Sequence, residues 1–156
     1  MASTVAQHDA PAWKRKADFL IFADLTAFGL PGRWEQLWAR RISESEFEIC
    51  CIPYFTYGLA LGDTVSTRPV GGKTYVVADV LMRSGRRVLR LWLKGAVGEA
   101  RDLLRRYLSS APLAHEWSSD NLVAIDLPSE ELDADGSTLL ASLTDLGVDL
   151  EWGERS

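Results

Sequence analysis

The stretch Val88-Leu89-Arg90-Leu91-Trp92-Leu93 decides the fold, because apolar and polar residues alternate in it as in a half-buried strand. Residues 98–109 follow it and carry an apolar stripe at helical spacing, formed by Leu103, Leu104, Tyr107 and Leu108. The pattern therefore predicts a strand followed by an amphipathic helix.

The same kind of pattern continues to the end of the chain. Two more strands are predicted at residues 115–117 and 122–127, separated by the turn-forming residues 118–121. A second helix with an apolar leucine stripe ends at Gly147, and residues 148–152 supply a last strand. This order is the β-α-β-β-α-β order of the ferredoxin-like split βαβ motif. That motif hosts many unrelated functions and predicts no chemistry by itself.

The first half of the chain lacks helical periodicity. Residues 18–85 are predicted to form a meander of about five short strands, either curled into a small barrel or packed on the neighbouring unit. Residues 86–156 form the ferredoxin-like unit, and the polar residues 1–17 are expected to be a mobile tail. The predicted fold class is thus α+β, with an N-terminal β-meander or small barrel packed on a C-terminal ferredoxin-like unit.

Composition excludes several classes of protein. The chain has 156 residues with 47% hydrophobic content, enough for one core or for two small cores that share an interface. Its net charge of -5 disfavours nucleic-acid binding through bulk electrostatics, which needs clustered Lys and Arg. No apolar run reaches the roughly 20 residues of a membrane helix, and residues 1–17 lack a signal-peptide core. We expect a cytoplasmic protein with no membrane partner, and the sequence leaves the oligomeric state open.

Several short motifs in the first half and one in the second follow one another in a distinctive order. They are Glu35-Gln36-Leu37-Trp38-Ala39, Ile52-Pro53-Tyr54-Phe55, Gly58-Leu59-Ala60-Leu61-Gly62-Asp63, Arg83-Ser84-Gly85 and Leu122-Val123-Ala124-Ile125-Asp126-Leu127-Pro128. Over about residues 34–152 this succession resembles the bacterial family catalogued as domain of unknown function 4265. The resemblance implies a small intracellular bacterial protein, often of actinobacterial type, and supplies no catalytic residues.

The reactive residue types are few. Cys50 and Cys51 are adjacent in an apolar run, where a disulfide between them would require a strained turn, so two buried reduced thiols are expected. A cysteine–histidine pair would have to use His115, since His8 lies in the expected tail. A partly exposed structural role is the favoured interpretation of His115. No metal site and no cofactor are expected.

The only concentration of positive charge lies in the second half. It consists of Arg83, Arg86, Arg87, Arg90, Arg101, Arg105 and Arg106. A ferredoxin-like sheet with such a surface could recognise RNA or a phosphate, but the aromatic stacking signature of RNA-recognition modules is missing. A solvated face balanced by acidic neighbours is the favoured interpretation.

Large aromatic side chains are concentrated around Pro53. Residues 54–57 lie in a predicted connection, where such side chains are harder to bury than in a strand. Core packing is their default role, and the alternative is an aromatic-lined pocket or partner surface between the two halves. The predicted ligand-binding residues are Trp38, Tyr54, Phe55, Tyr57 and Trp92. At least one of the residues from the connection is expected to line a concave site that borders the C-terminal sheet.

The sequence therefore favours a non-catalytic binding or accessory protein that recognises a peptide, a partner protein or a small molecule through this aromatic surface. An accessory or immunity role within a bacterial gene cluster would suit such a protein. The alternative hypothesis is a small enzyme that acts on a natural product or peptide. Its chemical groups would be Cys51, Asp63 or His115.

Overall fold

A computed structural model describes residues 4–95, 97–128 and 132–154, which form ten strands in two sheets and two α-helices. The first sheet contains β1 (Val5–Ala6), β2 (Phe19–Asp24), β3 (Trp34–Arg41), β4 (Glu46–Ile49), β5 (Thr64–Val70) and β6 (Lys73–Met82). The second unit contains β7 (Arg87–Trp92), α1 (Val97–Ser110), β8 (His115–Ser119), β9 (Leu122–Leu127), α2 (Ala134–Asp145) and β10 (Asp149–Trp152). The α+β fold class is thus confirmed.

The first sheet closes into a small barrel. Its strand order is β1-β3-β2-β6-β5-β4, and an additional pairing of β3 with β4 closes β2 to β6 into a ring, with β1 attached to β3. The ring is completed by a parallel contact between β2 and β6 at Phe22 and Val76, whereas the other neighbouring strands in the ring are antiparallel. Alternate residues point inward, as the strand period of two requires, and build an apolar interior. That interior includes Ile21, Leu37, Ala39, Phe47, Ile49 and Val65.

The second sheet is antiparallel throughout, with strand order β10-β7-β9-β8. Both helices pack on one of its faces, where Ala100 and Leu104 of α1 and Leu143 of α2 meet inward-facing residues of β7 and β9. The sheet is therefore four-stranded and antiparallel with both helices on one side, and its elements follow the β-α-β-β-α-β order that the sequence predicts. Each helix has one apolar stripe, and one sheet face is enough to bury both stripes.

The other face of the second sheet packs on the barrel. A single cluster joins Ile52, Tyr54, Ala60 and Leu61 of the barrel half to residues of β7 and β9, namely Val88, Leu122 and Ala124. The two halves therefore share a core, and the segment after β4 lies at their interface.

The N-terminal segment packs on the barrel instead of forming the expected mobile tail. Residues 5 and 6 form β1, which pairs in parallel with the start of β3, and the backbone N–H of Trp13 donates to the carbonyl of Cys50. His8 is only 2% exposed. The partners that hold this segment are distant in sequence, so its polar composition gave no sign of them; residues 1–3 of the expected tail lie outside the described residues.

Neither helix in the described part of the chain has the length and apolar composition needed to cross a lipid bilayer.

The two cysteines yield the first prediction. Both thiols are free and fully buried, and burial raises the pKa of Cys50 to about 12. Because a thiol reagent attacks the exposed thiolate, we expect neither cysteine to react with Ellman's reagent in the native protein and both to react in denaturant. Counting reactive thiols with and without guanidinium checks this. Rapid native modification of either cysteine would contradict the buried arrangement.

Candidate functional site

A buried ion cluster lies where the N-terminal segment, the barrel and the second sheet meet. Nδ1 of His8 is 2.7 Å from a carboxylate oxygen of Glu116, and its Nε2 is 2.7 Å from a carboxylate oxygen of Glu35. All three side chains are at most 1% exposed. Both ring nitrogens can donate only when the imidazole carries two protons, so the geometry fits an imidazolium between two carboxylates.

Glu35 also organises the segment that follows Cys51. Its carboxylate accepts the backbone N–H groups of Tyr54 at 2.7 Å, Phe55 at 3.1 Å and Thr56 at 3.0 Å, and the hydroxyl of Thr56 at 2.8 Å. Hydrogen bonds to an ionised acceptor are the stronger kind, and here one side chain satisfies three successive backbone donors. The aromatic connection is therefore fixed by a buried charge.

Glu116 makes the matching contacts from the second sheet. Its carboxylate accepts the backbone N–H of Ile52 at 2.6 Å and that of Ala12 at 3.2 Å. The ring of His8 stacks on Tyr54 with 4.0 Å between ring centroids and 7° between planes. The cluster thus ties three parts of the chain to one connection.

The contacts within the cluster favour the charged forms of His8 and Glu35. Desolvation alone would lower the pKa of His8, but its neighbour Cys51 and the hydrogen bonds to Glu116 and Glu35 raise it well above its ordinary value. Burial alone would raise the pKa of Glu35, yet the hydrogen bonds and charge of His8, with those from Tyr54 and Thr56, lower it. Removing any one charge would leave another buried without its partner.

Beside this cluster is a concave site of about 740 Å³. It lies between the connection held by Glu35, the turn around the short 3-10 helix Thr26–Phe28 and the barrel-facing side of the second sheet. Its lining residues are Phe28, Leu30, Tyr54, Phe55, Tyr57, Arg90, Trp92, Lys94, Leu122, Asp149, Leu150 and Glu151. We refer to it below as the aromatic pocket.

Charged side chains border this pocket on the side of the second sheet. Arg90 is 3% exposed, and its guanidinium donates to the carbonyl oxygens of Pro53, at 3.3 Å, and of Thr56. Its third partner is the carboxylate of Glu151 at 3.0 Å. Nearby, the ammonium of Lys94 is 2.5 Å from a carboxylate oxygen of Asp149. The pocket therefore combines an aromatic wall with two ion pairs.

Four of the five predicted binding residues lie at this pocket, and the fifth does not. Tyr54, Phe55, Tyr57 and Trp92 line it, with Tyr54 almost fully buried and Trp92 43% exposed. Trp38 instead packs against the barrel core, where its indole N–H donates to the carbonyl of His8 at 3.0 Å. The expected concave site bordering the C-terminal sheet is present, and a ligand-binding role for these residues stays a prediction.

The residues of the enzyme hypothesis do not share a pocket. Cys51 is fully buried, and burial raises the pKa of its thiol. Asp63 stabilises a turn, because its carboxylate accepts hydrogen bonds from the backbone N–H groups of Ala60 and Ser84. His115 lies on an exposed stretch of β8, where its ring contacts a backbone carbonyl. Within the described residues, no group of three or more His, Cys, Asp or Glu side chains is arranged to hold a metal ion.

The fold divides the arginine concentration into separate groups, with Arg83, Arg86 and Arg87 along one groove and Arg101 and Arg105 along another. Arg86 pairs with Asp126 at 2.5 Å, and Arg87 pairs with Glu154. Arg90 is buried at the aromatic pocket, and Arg101 stacks over Trp117 on the far side of the second sheet, 4.3 Å from the ring centroid. These positions do not form one basic surface.

Sequence reasoning missed His8, Glu35, Glu116 and Arg90. One signal was available: Glu35 has the same strand parity as Leu37 and Ala39, so a strand at 34–41 points a carboxylate into the barrel. A charge at an inward position requires a buried partner. The identity of that partner depends on tertiary contacts, since His8 and Glu116 are 108 residues apart.

Comparisons with known proteins give a family and a fold. The family model described as Domain of unknown function (DUF4265) matches residues 35–153. A solved structure, titled "Novel crystal structure of a hypothetical protein from Neisseria gonorrhoeae", is similar with a TM-score of 0.62 and 18% identity. The likeness covers 76% of this chain and 81% of that one, and at this identity it shows the fold alone. No curated protein matches the chain.

The ion cluster predicts a large effect of replacing His8. In the variant His8→Ala two buried carboxylates would face each other without a cation, so we expect the free energy of unfolding to fall by about 3–5 kcal/mol. Urea unfolding followed by circular dichroism measures this. His115→Ala is the matched control and should cost less than about 0.5 kcal/mol, because that side chain is exposed. Equal effects of the two substitutions would contradict the cluster.

The same cluster predicts how stability depends on pH. The pKa of His8 is raised on folding, so its contribution is complete below the ordinary value of 6.5 and is lost as pH rises through the folded-state pKa. The pKa of Glu35 is lowered, so its contribution is complete above 4.5 and is lost as pH falls through the folded-state value. We therefore expect the unfolding free energy to be highest between these two values. Urea titrations from pH 4 to 10 test this, and the alkaline decline should be smaller in His8→Ala, where the raised pKa values of Cys50 and Cys51 still contribute to it.

Proposed function

The chain belongs to the family described as domain of unknown function 4265, and we propose that it is a non-catalytic binding or accessory protein that takes its ligand in the aromatic pocket. The observation that carries the proposal is the pocket itself. Its volume of about 740 Å³ lies within the range of roughly 300–1,000 Å³ that is typical of ligand sites. Its aromatic wall and few polar groups are also typical of such sites.

The pocket exposes apolar surface that the fold does not need to expose. Trp92 is 43% exposed, although it lies beside other large apolar side chains of the pocket. Aromatic side chains supply a large contact area with few rotatable bonds, which is why binding surfaces favour them. A ligand covering this wall would remove that area from water.

The pocket is also preorganised. The backbone of residues 54–56 is held by the carboxylate of Glu35, and the carbonyls of Pro53 and Thr56 are held by Arg90. A wall that is already ordered does not lose conformational entropy when a ligand arrives, which favours affinity. Binding therefore offers a reason for placing so many buried charges around one connection.

The lining supports a ligand with an apolar body and polar groups of either sign at its ends. The apolar body would contact Phe55, Tyr57 and Trp92, and the polar ends would reach the ion pairs of Lys94 with Asp149 and of Arg90 with Glu151. A peptide, a partner protein and a small molecule all satisfy this description. None of these contacts requires a cofactor.

We place this function in the bacterial cytoplasm. Two free buried thiols fit a reducing compartment, in which disulfides are rare. A structure of similar fold comes from Neisseria gonorrhoeae, a bacterium. An accessory role within a bacterial gene cluster is compatible with a binding module.

A fluorescent apolar anion, 8-anilinonaphthalene-1-sulfonate, tests the pocket. We expect Phe55→Ala and Trp92→Ala each to weaken dye binding by about fivefold or more, since each removes roughly 1–2 kcal/mol of apolar contact. Fluorescence titration measures the affinity. Trp92→Ala should lower the unfolding free energy by less than about 1.5 kcal/mol, because a fully buried aromatic would cost about 3–5 kcal/mol.

Two controls make this result specific. Leu81→Ala removes a similarly exposed apolar side chain away from the pocket, and His115→Ala removes a group of the enzyme hypothesis. Neither substitution should change the dye affinity. If the pocket variants bind the dye as tightly as the native protein, the pocket is not the binding site and the proposal fails.

A further inference from the structure

The strand β10 forms a free edge of the second sheet. The sheet order is β10-β7-β9-β8, so β10 pairs with β7 on one side and with no described strand on the other. An edge strand presents a row of backbone N–H and C=O groups to its surroundings, and these groups can pair with another chain.

The register identifies the residues that present these groups. The N–H of Gly153 donates to the carbonyl of Val88 at 2.8 Å, and hydrogen-bonded pairs in an antiparallel ladder recur at every second residue. Asp149 and Glu151 therefore direct their backbone groups toward β7, opposite Trp92 and Arg90. The backbone groups of Leu150 and Trp152 must point away from the sheet. Within the described residues, neither takes part in a backbone hydrogen bond outside that ladder.

The aromatic pocket extends to this edge. Asp149 and Glu151 pair with Trp92 and Arg90, so their side chains share the barrel-facing side with those of β7. Leu150 points to the opposite side, because successive strand residues alternate. A pocket that is lined by all three residues must reach the outer edge of the strand. Backbone donors and an aromatic cavity thus lie side by side.

We propose that the edge of β10 accepts an extended peptide segment of another protein as a fifth strand, with one side chain of that segment in the aromatic pocket. The inference rests on the proposed function, because it names the ligand class of the same pocket. Main-chain hydrogen bonds to Leu150 and Trp152 supply affinity that is independent of sequence. The pocket supplies specificity by selecting one side chain of the segment. In strand addition to a sheet edge, backbone hydrogen bonds generally provide affinity and side-chain pockets provide specificity.

The charges at this edge define the peptide further. Peptide residues opposite Asp149 and Glu151 point to the barrel-facing side. The two carboxylates already pair with Lys94 and Arg90, but their side chains are 64% and 48% exposed and so remain accessible to a second cation. Opposite charges in directly facing positions stabilise a strand pair. The preferred segment therefore carries an aromatic or large aliphatic residue and, two positions away, a Lys or Arg. The net charge of -5 also favours a basic segment.

A second copy of the chain fits the edge less well. A two-fold pairing of β10 with itself must bring outward-facing backbone groups together. The two registers that pair at least three residues of the strand place Asp149 opposite Glu151, or Glu151 opposite its own copy, on one face. A register centred on Trp152 avoids facing carboxylates but pairs only that residue of the strand. Like charges in facing positions destabilise a strand pair. The acidic pattern of β10 thus disfavours self-association and favours a basic partner.

Selection of peptides from a displayed library of random heptapeptides on the intact chain provides the test. We expect enriched peptides to contain the aromatic and basic residues at alternate positions. The variant Leu150→Pro removes the outward N–H without removing a bond to β7, since proline is tolerated at such an edge position. It should weaken the affinity for a selected synthetic peptide by about tenfold or more, as measured by calorimetry. The affinity of the matched variant Leu150→Val should stay within about twofold of that of the native chain.

A second measurement uses the native protein and does not depend on any variant folding. Peptides that carry one N-methyl group, placed at each backbone position in turn, provide the measurement. Methylation at every second residue should abolish binding and methylation at the residues between should be tolerated, because only alternate N–H groups face the partner strand. Uniform tolerance would overturn the inference. So would equal peptide affinity of Leu150→Pro and the native chain, or a concentration-dependent dimer that is lost in Leu150→Pro.

The dye titration distinguishes a failure of strand addition from a failure of the proposed pocket function. If no peptide is enriched on the native chain relative to Leu150→Pro while both bind the dye equally, strand addition is refuted and the pocket function stands. If the native chain does not bind the dye in the pocket, the proposed function itself fails.

Discussion

The structure depends on one buried imidazolium. His8 lies between Glu35 of the barrel and Glu116 of the second sheet, and each side chain belongs to a different part of the chain. Burying a single carboxylate in an apolar interface costs several kcal/mol, and burying two without a cation would cost more. The contact therefore does more than add stability to an assembled fold. It is the condition under which the barrel and the second sheet can meet at this interface.

The carboxylates then determine the shape of the neighbouring segment. Residues 52–56 leave β4 at the interface, where their backbone N–H groups have no strand to pair with. Glu35 and Glu116 supply the missing acceptors, and Arg90 supplies donors for the carbonyls. An irregular connection can be buried only when such partners exist. The aromatic pocket is thus a product of polar chemistry, although its wall is apolar.

Much of the fold was predictable because its signals are local. The strands of the second unit and both helix stripes follow periodicities within ten residues, and the order of elements gave the antiparallel sheet. The aromatic pocket was predictable in outline because large side chains in a connection have few ways to be buried. Trp38 does not line this pocket, because its side chain packs against the barrel core instead.

The remaining features depend on contacts that no local pattern encodes. The parallel contact between Phe22 and Val76 closes the barrel, yet it joins strands that are far apart in sequence. The docking of the N-terminal segment has the same origin, because the imidazolium charge of His8 is needed only where Glu35 and Glu116 converge. The inward-facing position of Glu35 indicated that its carboxylate has a buried partner, but it did not identify that partner. Sequence periodicity therefore predicts which charges are buried but not which residues pair with them.

The sequence separation of the cluster has a consequence for synthesis. During translation the barrel strands leave the ribosome before β8 does, so Glu35 and His8 must wait for a partner that arrives 108 positions after the histidine. Domains that complete their contacts early can fold while the rest is being made. Here the last ligand of the cation comes from β8, and the apolar face around Ile52 and Tyr54 stays uncovered until then. The nascent chain thus has a defined interval in which this face is open to chaperones, and the interval ends when β8 arrives.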